Sequence, residues 1–368
     1  MKKFKIMTIF GTRPEAIKMA PVILELRKYP LNFDVIVTVT AQHREMLDEV
    51  LEIFDISPDY DLNLMKKNQT LTEITAACLT GLEEVLKVAT PDMVLVHGDT
   101  TTSFAGSLAA FYQRIPVGHI EAGLRTGNIY APFPEEINRR LTGIIANLHF
   151  APTEIAAKNL RQEGKNAHIY VTGNTVIDAL NLTVKKDFTH PVLDRIGDNP
   201  FILLTAHRRE NLGGPLKEIL KAARQLINDH PQLHLVYPVH PNPKISKIAH
   251  DLLANHERIH LLEPLDVINF HNIIAKAHLI LTDSGGIQEE APTFGVPVLV
   301  LRHTTERPEG VDAGVLKLVG TDFDMIVETA GELLTNDGAY DLMAQIKNPY
   351  GEVGAASRIV EILLAYLK

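Results

Sequence analysis

Three carboxylates in the first half of the chain carry the clearest chemical signal. Asp99 follows the apolar run DMVLVHG, Glu121 follows PVGHI, and Glu135 lies in APFPEEINRR. Acids gathered around a further negative charge repel one another, so at least one should hold a proton near neutral pH. A site that both takes and gives protons needs such a set. Glu135 has a second reading. With Glu136 it begins the helical stretch PEEINRRLTG, where acids are favoured by the helix dipole. Its spacing leaves both readings open.

Anion-holding residues accompany these acids. In SGGIQEEAPTFG, after the run HLILTD, Gly285 and Gly286 let the backbone approach a ligand closely, and a helix start offers free N–H groups. One turn later, Glu290 is placed to accept hydrogen bonds from ribose hydroxyls; the plainer alternative is a tight turn with a solvated acid pair. GTRPEAIK forms a second cradle, with Pro14 suited to the first helical turn and Arg13 and Lys18 near it. Cations at a helix N-terminus are unfavourable unless an anion joins them. His207 follows FILLTA, His240 follows LVYPV, Ser284 follows LILTD and Arg302 follows PVLVL.

The elements that must hold these residues are legible as alternation. Short β-branched runs (from Phe4, Phe33, Asp92, Pro116, His168, Phe201, Leu233, His278 and Pro297) are separated by segments of helical period such as PEAIKMAPVILELRKY and PLKEILKAARQLIND. That rhythm predicts α/β architecture with parallel sheets covered on both faces. Ligands bind beyond the carboxyl ends of such strands, and the polar residues above fall there in both halves. The apolar period lapses from Lys185 to Pro200, where Pro, Gly and Asp gather, which predicts two doubly wound halves with a cleft between their sheet ends. The last helical stretch, GAASRIVEILLAYLK, fits either half on pattern alone.

Composition narrows the field. A formal charge of −9 without a basic block argues against a nucleic-acid surface. The single cysteine, Cys78, sits in a helical pattern and reads as core, which fits a reducing compartment. The apolar start MKKFKIMTIF carries Lys5 and runs into Gly-Thr-Arg-Pro, so it reads as a buried strand and not as a leader. No run is long enough to span a bilayer. Neither G-x-G-x-x-G after a strand nor a P-loop is present, and the sixteen histidines show no metal-ligand spacing. His97-x-Asp99 offers two ligands without a third.

Taken together, GTRPEAIKMAPV, VTAQHREML, VHGDTTT, HIEAGLRTG, PFPEEINR, TAHRREN, TDSGGIQEEAP and TTERPEGVDAG make the chain resemble the bacterial non-hydrolysing UDP-N-acetylglucosamine 2-epimerases, in family order from Gly11 to Gly314. The resemblance implies a GT-B fold of two Rossmann-like doubly wound domains with an interdomain cleft. It places an N-terminal domain over residues 1–184, a UDP-binding domain over 185–350, and a final helix, 351–368, packed back on the first domain. It implies a cytoplasmic homodimer, without cofactor or metal, that interconverts UDP-N-acetylglucosamine and UDP-N-acetylmannosamine for cell-surface polysaccharide. The family's catalytic acids fall on Asp99, Glu121 and Glu135, and its histidine on His207. Its nucleotide contacts fall on Arg13, Lys18, His240, Phe270, Ser284, Gly285, Gly286, Glu290 and Arg307, with a backbone contact at Leu265. Many members also bind a second, activating UDP-N-acetylglucosamine. Of that site, Gln42, His207 and Glu210 remain, but Glu45 and Asn68 stand where the family has Gln and Arg. Competing readings are a hydrolysing relative that releases N-acetylmannosamine, a GT-B glycosyltransferase, and an inactive UDP-sugar sensor; the intact Asp99, Glu121, Glu135 and His207 weigh against the last.

Overall fold

β-Branched runs bounded by Gly, Asp and Pro favour extended backbone, and where both faces are apolar they are stable only inside a covered parallel sheet. A computed structural model of the chain describes residues 3–41, 44–64, 66 and 69–367. These residues divide into two compact units, 1–181 with 350–368, and 182–349.

The first unit contains, among the described residues, strands β1 (Phe4–Phe10), β2 (Phe33–Val39), β3 (Tyr60–Asp61), β4 (Met93–His97), β5 (Val117–Ile120), β6 (Leu148–Ala151) and β7 (Ile169–Val171). They form one parallel sheet in the order β3-β2-β1-β4-β5-β6-β7. Its helices are α1 (Arg13–Arg27), α2 (Arg44–Ile53), α3 (Leu71–Ala89), α4 (Thr101–Tyr112), α5 (Glu135–Ile145), α6 (Glu154–Gln162) and α7 (Thr175–Thr183), the last running into the second unit.

The second unit repeats the plan. After α8 (Pro191–Ile196) come β8 (Phe201–Thr205), α9 (Gly214–Asp229), β9 (His234–Pro238), α10 (Pro243–Leu253), β10 (Ile259–Leu262), α11 (Val267–Lys276), β11 (Leu279–Thr282), α12 (Gly285–Glu290), β12 (Val298–Val300), α13 (Pro308–Ala313), β13 (Leu316–Leu318), α14 (Phe323–Thr335) and α15 (Asp337–Ala344). The strands are parallel in the order β10-β9-β8-β11-β12-β13. Along β8, Ile202 and Leu204 join one apolar cluster while Phe201 and Leu203 join another, so the sheet is buried on both faces. The fold is the doubly wound α/β architecture that the alternation predicts.

The final helix, α16 (Ala355–Tyr366), packs on α1 within the first unit. Ala355, Ala356, Ile359, Val360 and Leu363 form its buried stripe. Asp178 of α7 anchors its start by accepting hydrogen bonds from the Gly354 and Ala356 amides.

Each sheet reverses its winding beside its first strand, between β1 and β4 and between β8 and β11. Loops leaving the carboxyl ends of those pairs diverge and open a crevice, which is where doubly wound sheets bind ligands. In the first unit these loops begin at Gly11 and Gly98; in the second, at Ala206 and Asp283.

Candidate functional site

At the β1–α1 turn, Thr12 caps the helix in a capping box with Glu15. Gly11 is required there by space, because a Cβ would lie 2.1 Å from Thr40 Oγ1 and 2.6 Å from Thr102 Oγ1. Arg13, half-buried, is the first residue of α1.

Lys18, further along α1, is buried and ion-paired to Glu121, which directly follows β5. The helix-start cation thus meets a protein carboxylate. Asn174 Nδ2 donates to the same oxygen, Glu121 Oε2, at 3.3 Å, and His97 Nε2 lies 3.8 Å from it. Glu121 is held at φ +62°, a left-handed backbone that costs a non-glycine residue on the order of 1–3 kcal/mol and marks functional sites.

Asp99, after β4, is ion-paired to Arg139 of α5, and Asn138 Nδ2 donates to the Asp99 carbonyl at 3.0 Å. The first turns of α5 are therefore docked on the Asp99 loop. The two acids of PFPEE part company. Glu136 is fully buried, accepting from Arg139, from Arg140 Nε at 3.1 Å and from the Thr126 amide at 3.1 Å. Glu135 is half-buried in the first turn of the helix.

In the second unit Asp283, fully buried after β11, gathers the β8 loop. It accepts from the His207 amide, the Arg208 amide and Asn211 Nδ2, each at 2.9 Å. The His207 ring stacks on His240 with centroids 5.5 Å apart and planes 6° from parallel. Partial desolvation of the ring, with His240 and Arg208 nearby, lowers the His207 pKa from its usual range against the opposing pull of Asp283.

Ser284 precedes Gly285 and Gly286 at the start of α12. A Cβ on Gly285 would come within 3.2 Å of Glu306 Oε1 and 3.3 Å of an Arg307 guanidinium nitrogen, so glycine allows Arg307 to close on this turn. Arg307 is bonded to Glu289 at 2.9 Å and to Glu306 at 3.1 Å. Burial opposes ionisation of Glu306, but Arg307, Arg302 and Arg208 overcome it and hold the carboxyl at about 2. Glu290 ends α12 with its carboxylate against Gly286. Leu265 and Phe270 flank Asp266, the cap of α11, and rest on the core. Glu210 accepts from Arg302 Nε at 2.8 Å. Gln42 and Asn68 lie outside the described residues, as does the Glu45 side chain.

The structure thus joins Lys18 with Glu121, the Asp99 loop with α5, and His207 with His240. Glu15, Arg139, Asp283 and Glu306 are partners that the sequence reading missed. The spacing Thr12–Glu15 and Glu136–Arg139 held a helical signal for two of them. Burial pushes the Cys78 thiol up to about 11, as suits core. Among the described residues no three His, Cys, Asp or Glu side chains are arranged for a metal, and no helix is long and apolar enough to cross a membrane.

The UDP-N-acetylglucosamine 2-epimerase family model matches residues 24–364. The UDP-N-acetylglucosamine 2-epimerase of Bacillus subtilis is 62% identical over 365 residues, covering 99% of this chain and 96% of that protein. A crystal structure of the Neisseria meningitidis UDP-GlcNAc 2-epimerase bound to UDP-GlcNAc is similar at a TM-score of 0.91 and 52% identity, covering 98% of this chain and 100% of that one. An S. aureus MnaA–UDP co-structure is similar at a TM-score of 0.94 and 53% identity, covering 100% and 97%.

Proposed function

The chain belongs to the UDP-N-acetylglucosamine 2-epimerase family, and from that premise we propose that it interconverts UDP-N-acetylglucosamine and UDP-N-acetylmannosamine without net hydrolysis. One observation carries the reading. Glu121 and Asp99, at the carboxyl ends of adjacent strands, are each held by a cation, and α5, which bears Glu135, is docked beside Asp99.

The C2 proton of the sugar has no neighbouring carbonyl, so direct removal is hard. Departure of UDP, taking the C1–O electron pair, leaves an oxocarbenium-like C1 that acidifies C2–H. A carboxylate accepts that proton, and the C–H electrons form the C1–C2 double bond of a 2-acetamidoglucal. Protonation of C2 from the opposite face and return of the UDP oxygen to C1 give the epimer. Atoms and charge balance with no redox step. Groups that take and give protons, and donors fixed where the pyrophosphate charge grows, are what this route needs.

In this reading Asp99, Glu121 and Glu135 supply the proton transfers, and His207 donates a hydrogen bond to the leaving group. Arg13, Lys18, Ser284, Gly285, Gly286 and Arg307 hold the pyrophosphate. Glu290 takes the ribose hydroxyls, while His240, Leu265 and Phe270 contact the nucleoside. Lys18 serves twice, since its pairing with Glu121 sets that carboxylate in place. The UDP-GlcNAc bound to the Neisseria relative supports this choice of ligand. We place the enzyme in the cytoplasm, feeding polysaccharide synthesis, as a homodimer. The exposed Val88, Phe111, Tyr112 and Ile144, at the C-terminal ends of the neighbouring α3, α4 and α5, offer an apolar face to a second copy.

Proton NMR of the products tests the reading. UDP-N-acetylmannosamine accumulating to equilibrium is expected; free N-acetylmannosamine with stoichiometric UDP would make the enzyme a hydrolase instead.

A further inference from the structure

Glu15, only 2% exposed, is the meeting point of two loops. Its Oε2 accepts from the Gly11 amide at 3.0 Å, the Thr12 amide at 2.8 Å and the Thr12 hydroxyl at 2.8 Å. Oε1 accepts from the Thr100 hydroxyl at 2.6 Å and lies 2.9 Å from the Ser103 hydroxyl, within hydrogen-bond reach. The first group belongs to the turn that bears Arg13, and the second to the cap and first turn of α4, directly after Asp99. Capping explains the first group alone. It does not require the second, because Thr100 Oγ1 caps α4 by itself, accepting from the Ser103 amide at 3.1 Å. The crossing lies where the winding of the sheet reverses, and Gly11 leaves the turn no slack against Thr40 and Thr102.

The geometry points to Glu15 as a positioning residue for the epimerisation, a brace that fixes the spacing between Arg13 and Asp99. This rests on the epimerase reading above. Misplacing a reacting group by about 1 Å costs on the order of 100-fold in rate, so a brace between leaving-group and acid–base loops bears on kcat before it bears on nucleotide affinity. Burial raises the Glu15 pKa against its hydrogen bonds. A neutral carboxyl would keep its partners by donating from Oε1 to Ser103 Oγ, which itself donates to the His97 carbonyl. A glutamine amide nitrogen in that place cannot accept from Thr100, but its two N–H groups can donate to Ser103 Oγ and Thr100 Oγ1, with the Thr100 hydroxyl turned to Ser103 Oγ 3.2 Å away, so both arms are kept with the Thr100 bond reversed.

The test compares Glu15→Gln, Glu15→Ala, Thr100→Val and Thr100→Ser with the unaltered enzyme. The readouts are kcat per folded molecule, UDP affinity by calorimetry, and amide hydrogen exchange at Gly11 and Thr12. Glu15→Ala is expected to lose roughly 100-fold in kcat with UDP affinity nearly unchanged and faster exchange at both amides, whereas Glu15→Gln stays close to the unaltered enzyme. Thr100→Val removes the Thr100 contact to Glu15 together with the α4 cap and leaves the Ser103 contact, so it informs even if Glu15→Ala does not fold. It should lose kcat with faster exchange at Gly11 and Thr12, and Thr100→Ser should restore both; a kcat loss with unchanged exchange would assign the loss to the cap and overturn the brace. Full kcat in Thr100→Val, or Glu15→Gln as impaired as Glu15→Ala, would overturn the brace. Exchange reports on the brace without turnover, and turnover by the unaltered enzyme tests the epimerase reading separately.

Discussion

Each paired acid in the first unit leaves a cation behind when its charge is removed, and the depth of that cation decides the consequence. Asp99→Asn, Glu121→Gln and Glu135→Gln keep shape while removing the base. Each is expected to lower turnover by about 100-fold or more, the scale of acid–base catalysis, with UDP affinity by calorimetry largely kept. Glu121→Gln should also lower the melting temperature, because it strands the buried Lys18 ammonium. Glu135→Gln should not, since that side chain is half-buried. Near-normal turnover in Glu135→Gln would return Glu135 to the role of a helix-start acid. Strand-end residues such as Asp99 and His207 were legible because a parallel sheet presents its carboxyl ends to ligand. Asp283 and Glu306 were not, because each holds a group of the β8 loop that is remote in sequence, Asp283 the Arg208 amide and Glu306 the Arg208 guanidinium.

At the scale of elements, the longer strands of the sheet centres were read close to their observed bounds, β1 at Phe4–Phe10 and β8 at Phe201–Thr205 among them. The strands passed over lie toward the sheet edges and are short: β3 has only two residues, and the brief runs of β6, β10 and β13 each carry a polar residue, His149, His260 and Lys317. Helix α1 continues through Pro21, as its apolar period suggested, because burial of that turn outweighs the intrinsic penalty. His149 has a consequence of its own. It pairs in register with His119 of β5, and burial holds the two rings at about 4 and about 3. Both folded-state values lie below the usual 6.5, so as pH falls from neutrality the unfolded chain takes up protons that the folded chain refuses. Their contribution to stability is full above about pH 6.5 and is lost progressively toward the folded values. His149→Leu is therefore expected to flatten the fall in melting temperature between about pH 7 and pH 5. An unchanged slope would show that these rings do not set the acid sensitivity.

The whole molecule carries the departure from the family's activator site. Glu45 and Asn68 stand where the family's activator site has Gln and Arg, which would replace a neutral side chain by a negative charge and remove a bidentate guanidinium. Glu210 is bonded to Arg302. We propose a reduced dependence on substrate as activator. Pure UDP-N-acetylmannosamine is then expected to turn over promptly, and a strict lag abolished by a trace of UDP-N-acetylglucosamine would contradict it. The central claim, reversible C2 inversion by a carboxylate exchanging its proton with solvent, is tested most directly in D2O. UDP-N-acetylglucosamine incubated with the enzyme should give UDP-N-acetylmannosamine carrying deuterium at C2 from the earliest turnovers, read by the loss of the C2 proton signal. A product without inversion at C2, or an inverted product that keeps its original hydrogen throughout, would contradict the account.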